Sequence, residues 1–249
     1  MNDVGNDAAR TVLVTGPAHD LQGWVSAAES AGWRGLPRPL IKIHPTDVDL
    51  VALIDGLPDW ICVTSSNALD SLERASRRMP ELLTASFSCV GSRTQERARA
   101  LGFKPALPAS PDANTLALSL IDTLSPASRV LWPRGSLSSW LGDELKRAGH
   151  SLLAPVVYET RPLTGAATLD GVESARAILL ASPSAVRAYA DRVRAGGSAT
   201  PLTLAIGQTT ALALDEHASM FENVRVLEHP TTTAFAALLR ALESTDDDS

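Results

Sequence analysis

A chain of 249 residues and 26.3 kDa has room for one large domain or for two of about 120 residues each. With 45% hydrophobic and 20% charged residues, and no window approaching the ~20 consecutive apolar residues of a membrane span, disorder and membrane insertion are both excluded as first expectations. The net charge is −6, but Glu243, Asp246, Asp247 and Asp248 supply four of those charges; the remaining body is nearly neutral and lacks the Lys/Arg stripe of a nucleic-acid binder.

Met1 to Arg10 carries Asp3 and Asp7 and no apolar core, so it reads as a frayed leader rather than a signal peptide, and a cytoplasmic location is expected. From Thr11 an apolar run, Val12-Leu13-Val14-Thr15, meets Gly16-Pro17 and then a helical stretch from Leu21 to Ala31 closed by Gly32, the pattern of strand, turn, helix and glycine cap. Ile61 to Asn67 is an apolar strand running into a polar turn and a helix. Cys89-Val90-Gly91-Ser92 is another strand and turn, and Pro111-Asp112 opens a helix through Leu116 to Leu124. Cys62 and Cys89 each sit within an apolar run, where a reduced thiol behaves as a small core residue, and no metal-ligand spacing is present. The acidic C-terminal tail is expected to be a solvated end.

The second half repeats these phrases in order. Val130-Leu131-Trp132 followed by Pro133-Arg134-Gly135, and a helix from Trp140 to Ala148 closed by Gly149, answers the Val12 phrase; Ile178-Leu179-Leu180-Ala181-Ser182-Pro183-Ser184 answers Ile61; Ala205-Ile206-Gly207-Gln208-Thr209-Thr210 answers Cys89; Pro230-Thr231-Thr232-Thr233 answers Pro111. The offset stays at 116 to 117 between Trp24 and Trp140, Gly32 and Gly149, and Gly91 and Gly207, which marks an internal duplication. Alternating strands and helices call for parallel sheets covered on both faces, and ligands of such sheets collect beyond the carboxyl ends of the strands, where every repeated phrase keeps its Gly, Ser, Thr or Asn.

Those turns place unpaired helix-start amides where a carboxylate could be held. Thr64, Ser65, Ser66, Asn67, Ser182, Ser184, Thr209, Thr210 and Thr231 to Thr233 are suitable caps, and capping alone is the competing explanation for each. Arg134 at a strand end could pair with an anion or be an ordinary surface arginine. Tyr158, one of two tyrosines, follows Pro155-Val156-Val157 and by composition alone reads as a packed strand residue. The five histidines are scattered and no nucleophile elbow or phosphate-loop lysine motif occurs, which weighs against hydrolase and kinase chemistry.

The ordered set Thr64-Ser65-Ser66-Asn67-Ala68, Val90-Gly91 with Thr94, Pro133-Arg134-Gly135, Val157-Tyr158-Glu159-Thr160, Ser182-Pro183-Ser184-Ala185-Val186, Ala205 to Thr210 and Pro230-Thr231-Thr232 resembles uroporphyrinogen-III synthase from Val12 to Leu242. The resemblance implies two similar parallel-sheet α/β domains joined by a two-stranded linker, residues 1–40 with 161–249 and residues 41–160, with the active-site cleft between them. It implies closure of linear hydroxymethylbilane with inversion of the terminal ring and loss of water, through an azafulvene and a spiro intermediate, without cofactor or metal. Tyr158 is then the catalytic proton donor. Thr64, Ser65, Ser66, Asn67, Gly91, Ser92, Arg134, Gly135, Ser182, Pro183, Ser184, Gly207, Gln208, Thr209 and Thr210 are the substrate-binding candidates. A monomer, with transient contact to the preceding pathway enzyme, is expected. One departure stands out: the family usually reads Thr-Arg-Pro after the first strand, and here it is Thr15-Gly16-Pro17. That departure motivates the alternative reading, a non-catalytic synthase-like module that binds a tetrapyrrole or other polycarboxylate.

Overall fold

The computed structural model describes residues 10–137, 140–163, 174–196, 201–221 and 223–244, so the expectations for the leader before Arg10 and for the acidic tail at Asp246 to Asp248 fall outside the described residues. The chain divides into two compact units, Met1–Lys42 with Arg161–Ser249, and Ile43–Thr160.

In the first unit the strands are β1 (Thr11–Val14), β2 (Arg34–Pro37), β10 (Ala177–Leu180), β11 (Leu202–Ala205) and β12 (Val224–Val226). They form one parallel sheet in the order β12-β11-β10-β1-β2, with Val12 beside Ala177 on one side and Gly35 on the other. Alternation along the strands sends Leu13, Ile178, Leu180 and Ala205 to one face, where they pack on α7 (Pro183–Gly196) and α8 (Gln208–Asp215). Val12, Val14, Ala177, Leu179 and Leu204 point to the other, against α1 (Leu21–Ser30) and α9 (Thr232–Ser244).

The second unit repeats this plan. Its sheet contains β4 (Trp60–Val63), β5 (Ser86–Cys89), β6 (Arg129–Leu131) and β8 (Ser151–Leu153), parallel and in the order β5-β4-β6-β8. The replacement of β10, β11, β1 and β2 by β4, β5, β6 and β8 turns one order into the other. Even the place of β12 is marked, by bridges of Phe87 to Pro105 and of Val90 to Ser110. Ile61, Val63, Phe87 and Cys89 pack on α3 (Leu69–Arg78) and α4 (Ser92–Ala100), while Trp60, Cys62, Val130 and Trp132 pack on α5 (Ala113–Thr123) and α6 (Trp140–Arg147). The remaining helix, α2 (Leu50–Leu53), is a single turn capped by Asp49.

Three further strands, β3 (Ile41–Pro45), β7 (Arg134–Gly135) and β9 (Val156–Pro162), form a small sheet in the order β3-β9-β7. The side-chain hydroxyl of Thr46 donates to the Val156 carbonyl and its backbone amide to that of Val157, which fixes β9 against the end of β3. Both cysteines are buried, as the apolar runs predict, and burial pushes the Cys89 thiol up to about 11 and that of Cys62 further. Among the described residues no helix is long and apolar enough to cross a membrane.

Candidate active site

In the second unit the strand ends converge on Tyr158. The parallel ladder between β7 and β9 sets Gly135 directly opposite Tyr158, and the Ser136 amide donates to the Tyr158 carbonyl at 3.1 Å. Gly135 is required there by space: a Cβ would lie 2.7 Å from Cε2 and Cζ of the tyrosine ring and 2.8 Å from its hydroxyl. The ring is half-buried on the apolar cluster of β4, β5 and α3. Burial raises the phenol above its ordinary range, and the polar side chain of Ser65 opposes that rise.

Ser65 belongs to the turn after β4. Its Oγ accepts from the Asn67 amide at 3.3 Å and so caps the short turn Ser66–Ala68 that leads into α3. The same turn is held from behind by Arg97, which donates to the Ser66 carbonyl at 3.0 Å and is paired with Asp70. Beside it, the indole N–H of Trp132 points to the Thr64 hydroxyl at 3.4 Å, and the Arg134 guanidinium lies over the Trp132 ring, 5.7 Å from its centroid. Thr64 and Arg134 thus both touch Trp132, and Gly135 lies against Tyr158. Ser66 and Asn67 share their turn, which also touches α4, the helix opened by Gly91 and Ser92. Gly91 has φ of +80°, a backbone that side chains rarely adopt, and its amide donates to the Ser110 carbonyl at 2.9 Å.

Trp132 is absent from the sequence-derived candidates, although a signal existed: a tryptophan immediately before Pro133-Arg134-Gly135 at the end of an apolar strand. It is 1% exposed, and Gly142 of α6 makes room for it, since a Cβ there would meet its ring at 3.1 Å.

In the first unit the candidates sit on two neighbouring strand ends. After β10, Ser182 Oγ accepts from the Ala185 amide at 3.2 Å, so Ser182 caps α7, with Pro183 in the first helical position and Ser184 in the first turn. After β11, Gly207 and not a threonine occupies the cap position of α8, which corrects the expectation that Thr209 and Thr210 cap it. Thr209 and Gln208 are exposed in the first turn, and Thr210 is 2% exposed. Gly207 has extended backbone, and a Cβ there would meet nothing within 4 Å, so neither conformation nor packing demands glycine at this helix start. Thr231 caps α9 through the Ala234 amide at 3.2 Å, as expected from the sequence, whereas Thr232 and Thr233 lie within the helix.

A groove of about 510 Å³ also occurs in the second unit, lined by Pro45, Asp47, Asp49, Arg74 and Arg78 among others; it contains none of the candidates and is crossed by the Asp49–Arg78 ion pair at 2.7 Å.

A model of the family "Uroporphyrinogen-III synthase HemD" matches residues 22–237. The chain belongs to the uroporphyrinogen-III synthase family. Its fold is similar to the crystal structure of uroporphyrinogen-III synthetase from Helicobacter pylori, with 19% identity, 94% of this chain and 99% of that chain covered, and a TM-score of 0.67. It is also similar to a mutant uroporphyrinogen-III synthase from the extremely thermophilic bacterium Thermus thermophilus, with 16% identity, 96% and 100% coverage and a TM-score of 0.64. A comparison with curated proteins finds no match. Membership of this family of cyclising hydro-lyases, together with the two-unit α/β fold, agrees with the reading of the ordered motifs.

Proposed function

We propose that this chain closes hydroxymethylbilane to the type III macrocycle with Tyr158 as proton donor, working in the cytoplasm without a resident cofactor. The observation that carries the reading is the Tyr158 side chain itself: half-buried, seated on the bare backbone of Gly135, and beside the strand-end arginine of Pro133-Arg134-Gly135. The phenol proton passes to the departing hydroxyl of the substrate, the carbon–oxygen bond breaks, and water leaves with formation of the azafulvene. Ring closure through the spiro intermediate later releases a proton, which returns the phenolate to phenol. A tyrosine kept protonated by burial suits that task, because it remains a donor across the neutral range.

The substrate's carboxylates need cationic and amide partners. Arg134 supplies the first kind, and the turns at Ser65, Gly91, Ser182 and Gly207 supply the second. Gly207 supports a ligand role beyond helix capping, since a glycine with no conformational or packing reason leaves its backbone open to close approach.

The test is incubation with fresh hydroxymethylbilane, oxidation, and chromatographic resolution of the type I and type III uroporphyrins. An excess of type III over the protein-free control is expected; type I alone, from folded protein, overturns the proposal in favour of the non-catalytic reading.

A further inference from the structure

The turn between β4 and α3 is weakly determined by its own residues. Ser66–Ala68 is a single tight turn, a geometry that seldom sustains itself, and Ala68, which stands before α3, gives that helix no side-chain cap. What holds the turn is one peptide unit, Ser66–Asn67, pinned at both ends. Its N–H donates to Ser65 Oγ at 3.3 Å, and its carbonyl accepts from the Leu69 amide and from Arg97 Nη1 at 3.0 Å.

Arg97 reaches that carbonyl from another helix. It lies on α4, and its second terminal nitrogen, Nη2, donates to the Asp70 carboxylate in the first turn of α3. One planar guanidinium therefore ties together α4, the turn after β4 and the start of α3. The answering turn of the first unit has no need of such a brace. Pro183 stands where Ser66 does, with its φ fixed by the ring, and Ser182 caps α7 through the Ala185 amide. There α7 bears the opposite charge, Arg187, paired with Glu216 at 4.0 Å, and Arg187 donates to no turn carbonyl among the described residues.

We propose that Arg97 is a positioning residue for substrate: it locks the turn that carries Ser65, Ser66 and Asn67 to the helix that Gly91 and Ser92 open, so that both groups of candidates meet substrate as one body. This rests on the reading of the two turns as substrate holders. The side chains of Arg97 and Asp70 are 41% and 53% exposed, and exposed pairs add little to global stability. The value of this one is geometric, because a small displacement of a binding group costs more than the contact that prevented it.

Two readouts on Arg97→Ala test this, one of them without substrate. Amide hydrogen exchange, followed residue by residue by NMR, should quicken about five-fold or more at Asn67, Ala68 and Leu69, and stay unchanged at Ala185 and Val186 at the start of α7. In the isomer-resolved assay KM should rise about five-fold or more with kcat within about two-fold. Arg97→Lys, which keeps the charge but not the planar fork, should fall between the parent and Arg97→Ala in both readouts. Arg77→Ala, which breaks the exposed Glu73–Arg77 pair of the same α3, should change neither. Unmoved exchange overturns the brace, and faster exchange with an unchanged KM overturns its role toward substrate. If Arg97→Ala does not fold, Asp70→Asn, which frees the guanidinium from its anchor, should show the same pattern at smaller amplitude. If the parent chain forms no type III product, the function proposed above fails, while the exchange rates still decide whether Arg97 holds the turn.

Discussion

The two units share one strand order and differ most at a single pair of equivalent strand ends, those of β1 and β6. In the first unit the chain leaves β1 as Thr15-Gly16-Pro17: the Thr15 hydroxyl is buried and donates to the Leu179 carbonyl at 2.6 Å, Gly16 turns with φ of +139°, and Pro17 bridges Ile41. In the second it leaves β6 as Trp132-Pro133-Arg134-Gly135, with a cation over an indole and a bare backbone opposite Tyr158. Topology has been conserved while chemistry has been concentrated: one copy offers chiefly backbone amides and hydroxyls, the other a phenol and a guanidinium. A duplicated sheet can therefore specialise by changing three or four residues after one strand, without altering its core.

The largest effect should come from filling the space under Tyr158. Gly135→Val sets a side chain on the ring and is expected to lower turnover by about 100-fold, because it displaces the phenol and the strand end that carries Arg134 together. Pro17→Ala at the matching place of the first unit should stay within about two-fold in the same isomer-resolved assay. Comparable losses at both sites would mean that the asymmetry is not functional.

Next, the tyrosines themselves divide between the units. Tyr158→Phe should lower turnover roughly ten-fold or more while leaving the melting temperature nearly unchanged. Tyr189, in the core of the first unit, has a fully buried hydroxyl without a hydrogen-bond partner among the described residues. Tyr189→Phe should keep full turnover and leave stability equal or higher by about 1 kcal/mol, since an unsatisfied buried hydroxyl is removed.

That same hydroxyl predicts an alkaline dependence. Burial pushes Tyr189 up to about 12 from an ordinary 10.0. Below the ordinary value both folded and unfolded chains hold the proton, and the stabilisation is complete; as pH rises toward the folded value the unfolded chain loses its proton first, so stability falls. Denaturant unfolding at pH about 9 and about 11 should show a smaller decline in Tyr189→Phe than in the parent chain.

The smallest change is expected at Gly16. Its position in the family pattern invites Gly16→Arg, yet its φ disfavours any side chain, and a Cβ would sit 3.3 Å from Leu21. The substitution should cost about 1 kcal/mol or more in stability, read by denaturant midpoint, with no gain in turnover. A rise in turnover would show that the missing guanidinium still matters.

Much of this was legible in the chain. Four strand-turn-helix phrases, repeated in order, announced the parallel sheets, and Gly32 and Gly149 end α1 and α6 with positive φ where the pattern placed them. The short strands β2, β8 and β12 left no trace, because Arg34-Gly35-Leu36-Pro37, Ser151-Leu152-Leu153 and Val224-Arg225-Val226 carry no long apolar run and draw their order from the neighbouring strand. Caps were half legible: a hydroxyl near a helix start is visible, but which residue takes the cap depends on backbone geometry, and at α8 it is Gly207. The approach of Gly135 to Tyr158 was not legible at all, since it joins two strands separated by α6 and β8, and only the β7–β9 ladder brings them together.

The placement of β1 carries a consequence for how the chain is made. β1 is synthesised well before β10, yet one edge of it pairs with β10, whose Ala177 lies opposite Val12. Until β10 is synthesised, Val12 and Val14 have only β2 and α1 to cover them, while the second unit, contiguous from Ile43 to Thr160, can already complete its sheet. The unit that holds Tyr158 thus matures first, and β1 waits, with an unpaired strand edge, for β10.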